Sequence, residues 1–146
     1  MIAMPVLGSS AAEIDKILGQ STPPFGVVFE IVENDWAFLN RAVPEVTKYI
    51  QQLRQKFPQL HIALVSHGKE QFALMTKQQQ KQSTLHKKVR SLIQDEHVTL
   101  HVCGTHASWY GIAPEEFPDF VDVAAAGPAQ INDYVKLGYT LIRIRK

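Results

Sequence analysis

Five short runs rich in apolar and β-branched residues recur along the chain, separated by stretches with helical spacing, and this alternation constrains the fold more than any other feature. The runs are FGVVFEIV (25–32), HIALVS (61–66), HVTLHVC (97–103), VDVAAA (121–126) and YTLIRI (139–144). The first is apolar at nearly every position rather than at alternate ones, which is what a strand covered on both faces requires. Strand and helix in strict succession call for crossover connections, and crossovers make the strands parallel. The expectation is an α/β chain with a parallel sheet of about five strands and helices on both faces.

The segments between the runs carry the helices. Apolar residues at Val43, Val46, Ile50, Leu53 and Phe57 repeat every three or four positions, with Pro44 expected in the first turn and Pro58 ending the helix. Residues 69–95 read as a broken helix: Phe72, Leu74 and Met75 pack near its start, the polar tract KQQQKQ interrupts it as a solvated face or loop, and Leu85, Val89, Leu92 and Ile93 resume the apolar face. Thr105 is placed to cap a short helix through Tyr110, which Gly111 would close, and a helix over 129–137 ends at Gly138. Pro114 to Pro118 form an elbow between them. Residues 1–24 read as an N-terminal extension in which Ser9 and Ser10 cap a helix over 11–18, stopped by Gly19, before Pro23 and Pro24 forbid further helix. Residues 25–146 then form one α/β domain, without internal repeat or linker.

A chain of 146 residues is long enough to bury a substantial core without metal or disulfide staples. Its formal charge of +1 supplies little attraction to phosphate backbones or anionic lipid, so neither nucleic acid nor membrane is expected as a partner. The apolar start has no Lys or Arg before it and is followed by Glu13 and Asp15, unlike a secretory signal. No run approaches the roughly 18 apolar residues of a membrane span. A single cysteine forms no intramolecular disulfide, so the chain reads as cytoplasmic.

In parallel sheets, reactive and binding groups collect outside the carboxyl ends of the strands. Here those ends are Asn34-Asp35, Ser66-His67-Gly68, Cys103-Gly104 and Ala126-Gly127. Cys103 closes a strand and precedes a helix start, where free backbone N–H groups favour thiolate over thiol and make the sulfur nucleophilic. A small, inert, buried side chain fits the same position equally well. His101 shares a strand face with Cys103, while His67 and His106 lie nearby in sequence or topology, yet no second cysteine or paired ligand spacing supports a metal, and none is expected. Gly104, Thr105 and His106 follow Cys103 without supplying the resolving cysteine of a C-x-x-C motif. Phosphate-loop, dinucleotide and hydrolase-elbow motifs are missing too, so no cofactor is expected.

Other groups have plainer explanations. Glu30, Glu33 and Asp35 read as caps for the next helix rather than as paired catalytic acids. Trp36, Trp109 and Tyr110 read as core or interface aromatics, because a base-stacking platform would come with a basic groove. Lys87, Lys88 and Arg90 read as an exposed helix face.

The stretch LHVCGTHASWYGIAPEEFPDFVDVAAAGPAQINDYVKLGYTLIRI (100–144) resembles the DsrE/DsrF-like family of small sulfur-metabolism proteins. What is shared is a strand ending in Cys, a short helix closing at Gly111-Ile112, an elbow, a Val-rich strand ending in Ala-Gly, a helix, and Gly-Tyr opening the last strand. The half from Phe25 onward fits more loosely, through its apolar strand and the VSHG turn, and the first 24 residues lie outside the pattern. The resemblance implies a flavodoxin-like three-layer fold, assembly into homotrimers or hexamers, and, at the position of Cys103, a cysteine that accepts and passes on a persulfide between donor and acceptor proteins. His67, Gly68, Asn34, Gly104, Thr105 and His106 are the expected supporting residues. Two alternatives stand beside the carrier: a ligand-binding or assembly module in which Cys103 is structural, and a small-molecule enzyme using His67 and Asp35.

Overall fold

Each apolar run of the sequence becomes a strand in the computed structural model, which describes residues 9–146. The order is α1 (Ser10–Leu18), β1 (Gly26–Ile31), α2 (Leu39–Lys56), β2 (His61–Ser66), α3 (Ser83–Gln94), β3 (Thr99–Cys103), α4 (Gly104–Ser108), β4 (Asp122–Ala124), α5 (Gly127–Lys136) and β5 (Tyr139–Arg143). All five strands pair in parallel in the order β4-β3-β2-β1-β5. The chain therefore steps from β1 to β4 in one direction and crosses back over the sheet to lay β5 beside β1. β1, with strands on both sides, is buried at all six positions, whereas the edge strands β4 and β5 are partly open.

Period-two alternation divides the strands between two unequal layers. Val27, Phe29, Ile31, Leu64, Leu100 and Val102 face the side covered by α1, α2 and α3. Val28, Ala63 and Val65 face the other, which among the described residues is covered by α5 through Ile131 and Tyr134. The α1 helix belongs to the thick layer: Ile14 and Ile17 are 1% and 3% exposed there. Burying two such side chains contributes on the order of 2 kcal/mol each. Ser9 caps this helix by accepting the Ala12 N–H, and Gly19 follows its last turn.

Several expected boundaries move. The α2 helix starts at Leu39, so Pro44 lies in its second turn. Its missing N–H would have met the carbonyl of Asn40, an exposed residue that needs no internal donor. The segment 69–94 is broken as its sequence suggests, into 3-10 turns at Lys69–Leu74 and Thr76–Gln78 before α3. β3 begins at Thr99 because His97 takes a positive φ of 54°, which turns the chain before pairing starts. α4 is capped by Cys103 rather than by Thr105. No helix among the described residues is long and apolar enough to cross a membrane.

Candidate functional site

The carboxyl edge of the sheet gathers most of the residues singled out above around Cys103. β2 stops at Ser66 while β3 runs on, so the amide of Cys103 has no strand neighbour on that side. A side chain takes the neighbour's place: the Cys103 N–H donates to Oε1 of Gln71 at 2.7 Å. Cys103 Sγ in turn accepts the N–H of His106 at 3.3 Å, closing the first turn of α4. The residue is 4% exposed, so the sulfur lies just beneath the surface.

His106 reaches away from the sulfur. Its Nδ1 lies 2.7 Å from the main-chain oxygen of His67, and since a carbonyl only accepts, Nδ1 carries the proton. The ring packs among Phe72, Trp109 and Tyr110 at centroid distances of 5.3 to 5.7 Å. Trp36 joins this cluster through Phe72. Of the aromatics expected in a core or interface, Trp36, Trp109 and Tyr110 are 48%, 75% and 50% exposed. They form an apolar surface beside α4.

His67 faces the α5 side. Its Nε2 meets Glu30 Oε2 at 2.8 Å, and Arg143 Nε donates to Glu30 Oε1 at 2.9 Å. Glu30 is thus not a helix cap as its sequence position suggested; its hydrogen bond with His67, reinforced by Arg143, holds its carboxyl below the ordinary range despite burial. Asp35 does act locally, accepting the Ala37 N–H just before α2. Close packing sets the His67 ring: a Cβ on Gly127 would fall 2.4 Å from His67 Cβ.

Gly68 is required by crowding of another kind. A Cβ there would lie 2.3 Å from Glu70 Oε1 and 2.5 Å from the backbone of Glu33. Glu70, fully buried, accepts from the Glu33 N–H (2.7 Å), Ser66 Oγ (2.6 Å) and the Gly68 N–H (2.9 Å). Burial pushes its carboxyl above the ordinary range, and these neutral donors only partly offset that. Gly104 lets β4 approach, since its Cβ would stand 3.0 Å from the Ala124 carbonyl. Thr105 donates its N–H and its hydroxyl to the Ala125 carbonyl, tying α4 to the end of β4. Asn34 is exposed and is not drawn into this network.

Sequence reasoning missed Gln71, Glu70 and Arg143, and read Glu30 as a cap. None lies in a motif; only the tertiary fold brings residues 30, 67 and 143 to one point. A separate surface depression lies at the opposite edge, lined by His61, His97, Thr99, Tyr134 and Tyr139. The length of β3, about 13 Å, separates it from Cys103. Two of its polar groups are engaged elsewhere: Arg54 donates to the carbonyls of Leu60 and Glu96, and the Tyr134 hydroxyl is 2.7 Å from His101 Nε2. The carboxyl edge is the stronger candidate.

Comparison with known proteins agrees with this architecture. The model of the DsrE/DsrF-like family matches residues 36–144. Similar solved structures include the protein of unknown function MTH1491 from Methanobacterium thermoautotrophicum, with a TM-score of 0.65 and 19% identity over 82% of this chain and 99% of that one. The ychN protein from E. coli has a TM-score of 0.61 and 12% identity over 82% and 99% of the two chains. The conserved protein of unknown function BT1422 from Bacteroides thetaiotaomicron has a TM-score of 0.56 and 13% identity over 80% and 94%. At these identities the likeness speaks for the fold alone. No curated protein matches the sequence. With a family model matching residues 36–144, from before α2 through β5, the chain belongs to the DsrE/DsrF-like family.

Proposed function

We propose that the protein is a sulfur carrier that takes up and passes on a persulfide at Cys103. The observation that carries this reading is the setting of the sulfur: Sγ sits at the carboxyl end of β3, accepts the His106 N–H, and follows an amide held by a buried carboxamide. The His106 N–H is thereby in place to hold the sulfur at the helix start while it reacts. The Cys103 thiolate attacks the outer sulfur of a donor persulfide. A bond forms between Sγ and that sulfur as the donor's sulfur–sulfur bond breaks, and the donor leaves as a thiolate, with no net oxidation. An acceptor thiolate then attacks the outer sulfur of the Cys103 persulfide in the same way.

Loading moves the transferable sulfur about 2 Å beyond Sγ, which suits a thiol lying just under the surface. The exposed Trp36, Trp109 and Tyr110 beside α4 suit contact with donor and acceptor proteins. Exposed apolar side chains at Phe25, Val135 and Leu137 favour self-association of the chain, which light scattering tests separately; a strict monomer counts against it. As the chain's one thiol, Cys103 calls for a reducing compartment such as the cytoplasm.

A second reading has its own support: a cysteine 4% exposed beside an aromatic surface also fits a docking module in which the thiol only packs. Incubation with a cysteine desulfurase and cysteine, followed by intact mass, separates the two. The carrier gains one sulfur atom, and Cys103→Ser does not. Failure of the native protein to gain sulfur under conditions that load another carrier favours the docking module.

A further inference from the structure

Among the described residues, one buried side-chain nitrogen or oxygen has no hydrogen-bond partner, and it is Nε2 of Gln71. Gln71 is fully buried, and its Oε1 accepts the Cys103 N–H. The opposite amide orientation would set an NH2 group against that N–H, donor to donor, so the contact itself assigns the oxygen. The carboxamide oxygen and nitrogen are at most about 2.6 Å apart, which with the 2.7 Å contact places Nε2 no more than about 5.3 Å from the Cys103 nitrogen. Buried polar groups are ordinarily satisfied, so a donor left over on the side chain that holds the Cys103 amide calls for an acceptor.

We infer that Gln71 Nε2 is the hydrogen-bond donor for the outer sulfur of the Cys103 persulfide, making Gln71 a positioning residue that holds the loaded state. The inference rests on the carrier reading and deepens it. In the unloaded protein Sγ already has the His106 N–H. Loading adds a second, anionic sulfur about 2 Å farther out, an acceptor without counterpart in the thiol, and Gln71 supplies the unused donor. One carboxamide thereby performs two tasks: its oxygen keeps the end of β3 in line where β2 has stopped, and its nitrogen discriminates the persulfide from the thiol.

The test loads the full chain with inorganic polysulfide, so that no partner protein is needed, and follows the one-sulfur adduct by intact mass as dithiothreitol removes it. With a single cysteine in the chain, every such adduct is on Cys103. Gln71→Met removes both polar atoms at similar length, and Gln71→Glu keeps the acceptor for the Cys103 N–H while replacing the donor. Loss of a hydrogen bond to a charged group should shorten the adduct's lifetime on the order of 10-fold in both variants. Acidification should restore the lifetime in Gln71→Glu relative to Gln71→Met, because a protonated carboxyl again offers a donor. A Gln71→Glu lifetime equal to the native one at every pH reduces Gln71 to a backbone support and overturns the inference, leaving the carrier intact. A native chain that alkylates with iodoacetamide yet never takes sulfur instead removes the carrier reading, and this inference with it.

Discussion

Glu30 and Glu70 stand at the same edge of the sheet, both buried, and the protein treats them in opposite ways. Glu30, on the α5 side of β1, is held by His67 and Arg143 and stays a carboxylate more readily than a free glutamate. Glu70, in the turn that packs beside α2, meets the Glu33 and Gly68 N–H groups and the Ser66 hydroxyl, and burial favours its neutral form. The first is a clasp between separate strands, closing β5 onto β1 and β2. The second is a local organiser of the loops after β1 and β2. The balance of hydrogen bonding and burial sets the two apart: the hydrogen bond with His67 outweighs desolvation at Glu30, whereas desolvation outweighs the hydrogen bonds at Glu70.

The comparison breaks most severely at Glu70. Glu70→Ala leaves three donors unmatched, two of them buried, and should destabilise the fold by about 3 kcal/mol, lowering Tm by on the order of 10 °C. A change below about 1 kcal/mol in a denaturant titration would mean that the loops find other acceptors. On the α5 side, Gly127→Ala drives a Cβ into the His67 side chain and should cost about 2 kcal/mol. If the ring must leave Glu30 to make room, the Glu30 carboxyl should titrate at higher pH in the variant, an effect visible by NMR.

The smallest and most discriminating effect is in the pH dependence. Because the Glu30 pKa is lowered in the folded state, its stabilisation is present above the ordinary glutamate pKa of about 4.3 and is lost as pH falls through the folded value. Because the Glu70 pKa is raised, its stabilisation is complete below that ordinary value and is lost as pH rises through the folded one. Relative to the native protein, Glu30→Gln should therefore recover stability as pH falls, and Glu70→Gln as pH rises. Parallel slopes for the two variants would contradict the contrast. Half of the Arg143 side chain is exposed, so Arg143→Gln should cost less than about 1 kcal/mol.

Much of the sheet was legible because a buried parallel strand leaves a direct trace: β1 has to be apolar at successive positions when both its faces are covered, and VVF in the run from Gly26 to Ile31 is. The α1 helix was legible through Ser9 and Gly19, whose capping roles are local. Boundaries set by tertiary contacts were less so. Pro44 suggested a helix start because its φ suits one, yet α2 begins earlier, where Leu39, Ala42 and Val43 bury against the sheet. Thr105 looked like a cap from its residue type, but pairing with the end of β4 uses its hydroxyl, and Cys103 takes the capping position.

What the sequence by itself determined was the parallel α/β sheet and the position of one thiol at a strand end, because strand burial, helix periodicity and chain order are written in consecutive residues. Only the tertiary structure decided what surrounds that thiol. Gln71 lies 32 positions from Cys103, and Arg143 lies 113 from Glu30. Contacts between such distant residues carry no periodicity or spacing that a reader of the chain can follow. They arise when β2 ends before β3 and when β5 returns beside β1, since only then do an open amide and a buried carboxylate acquire neighbours to satisfy them.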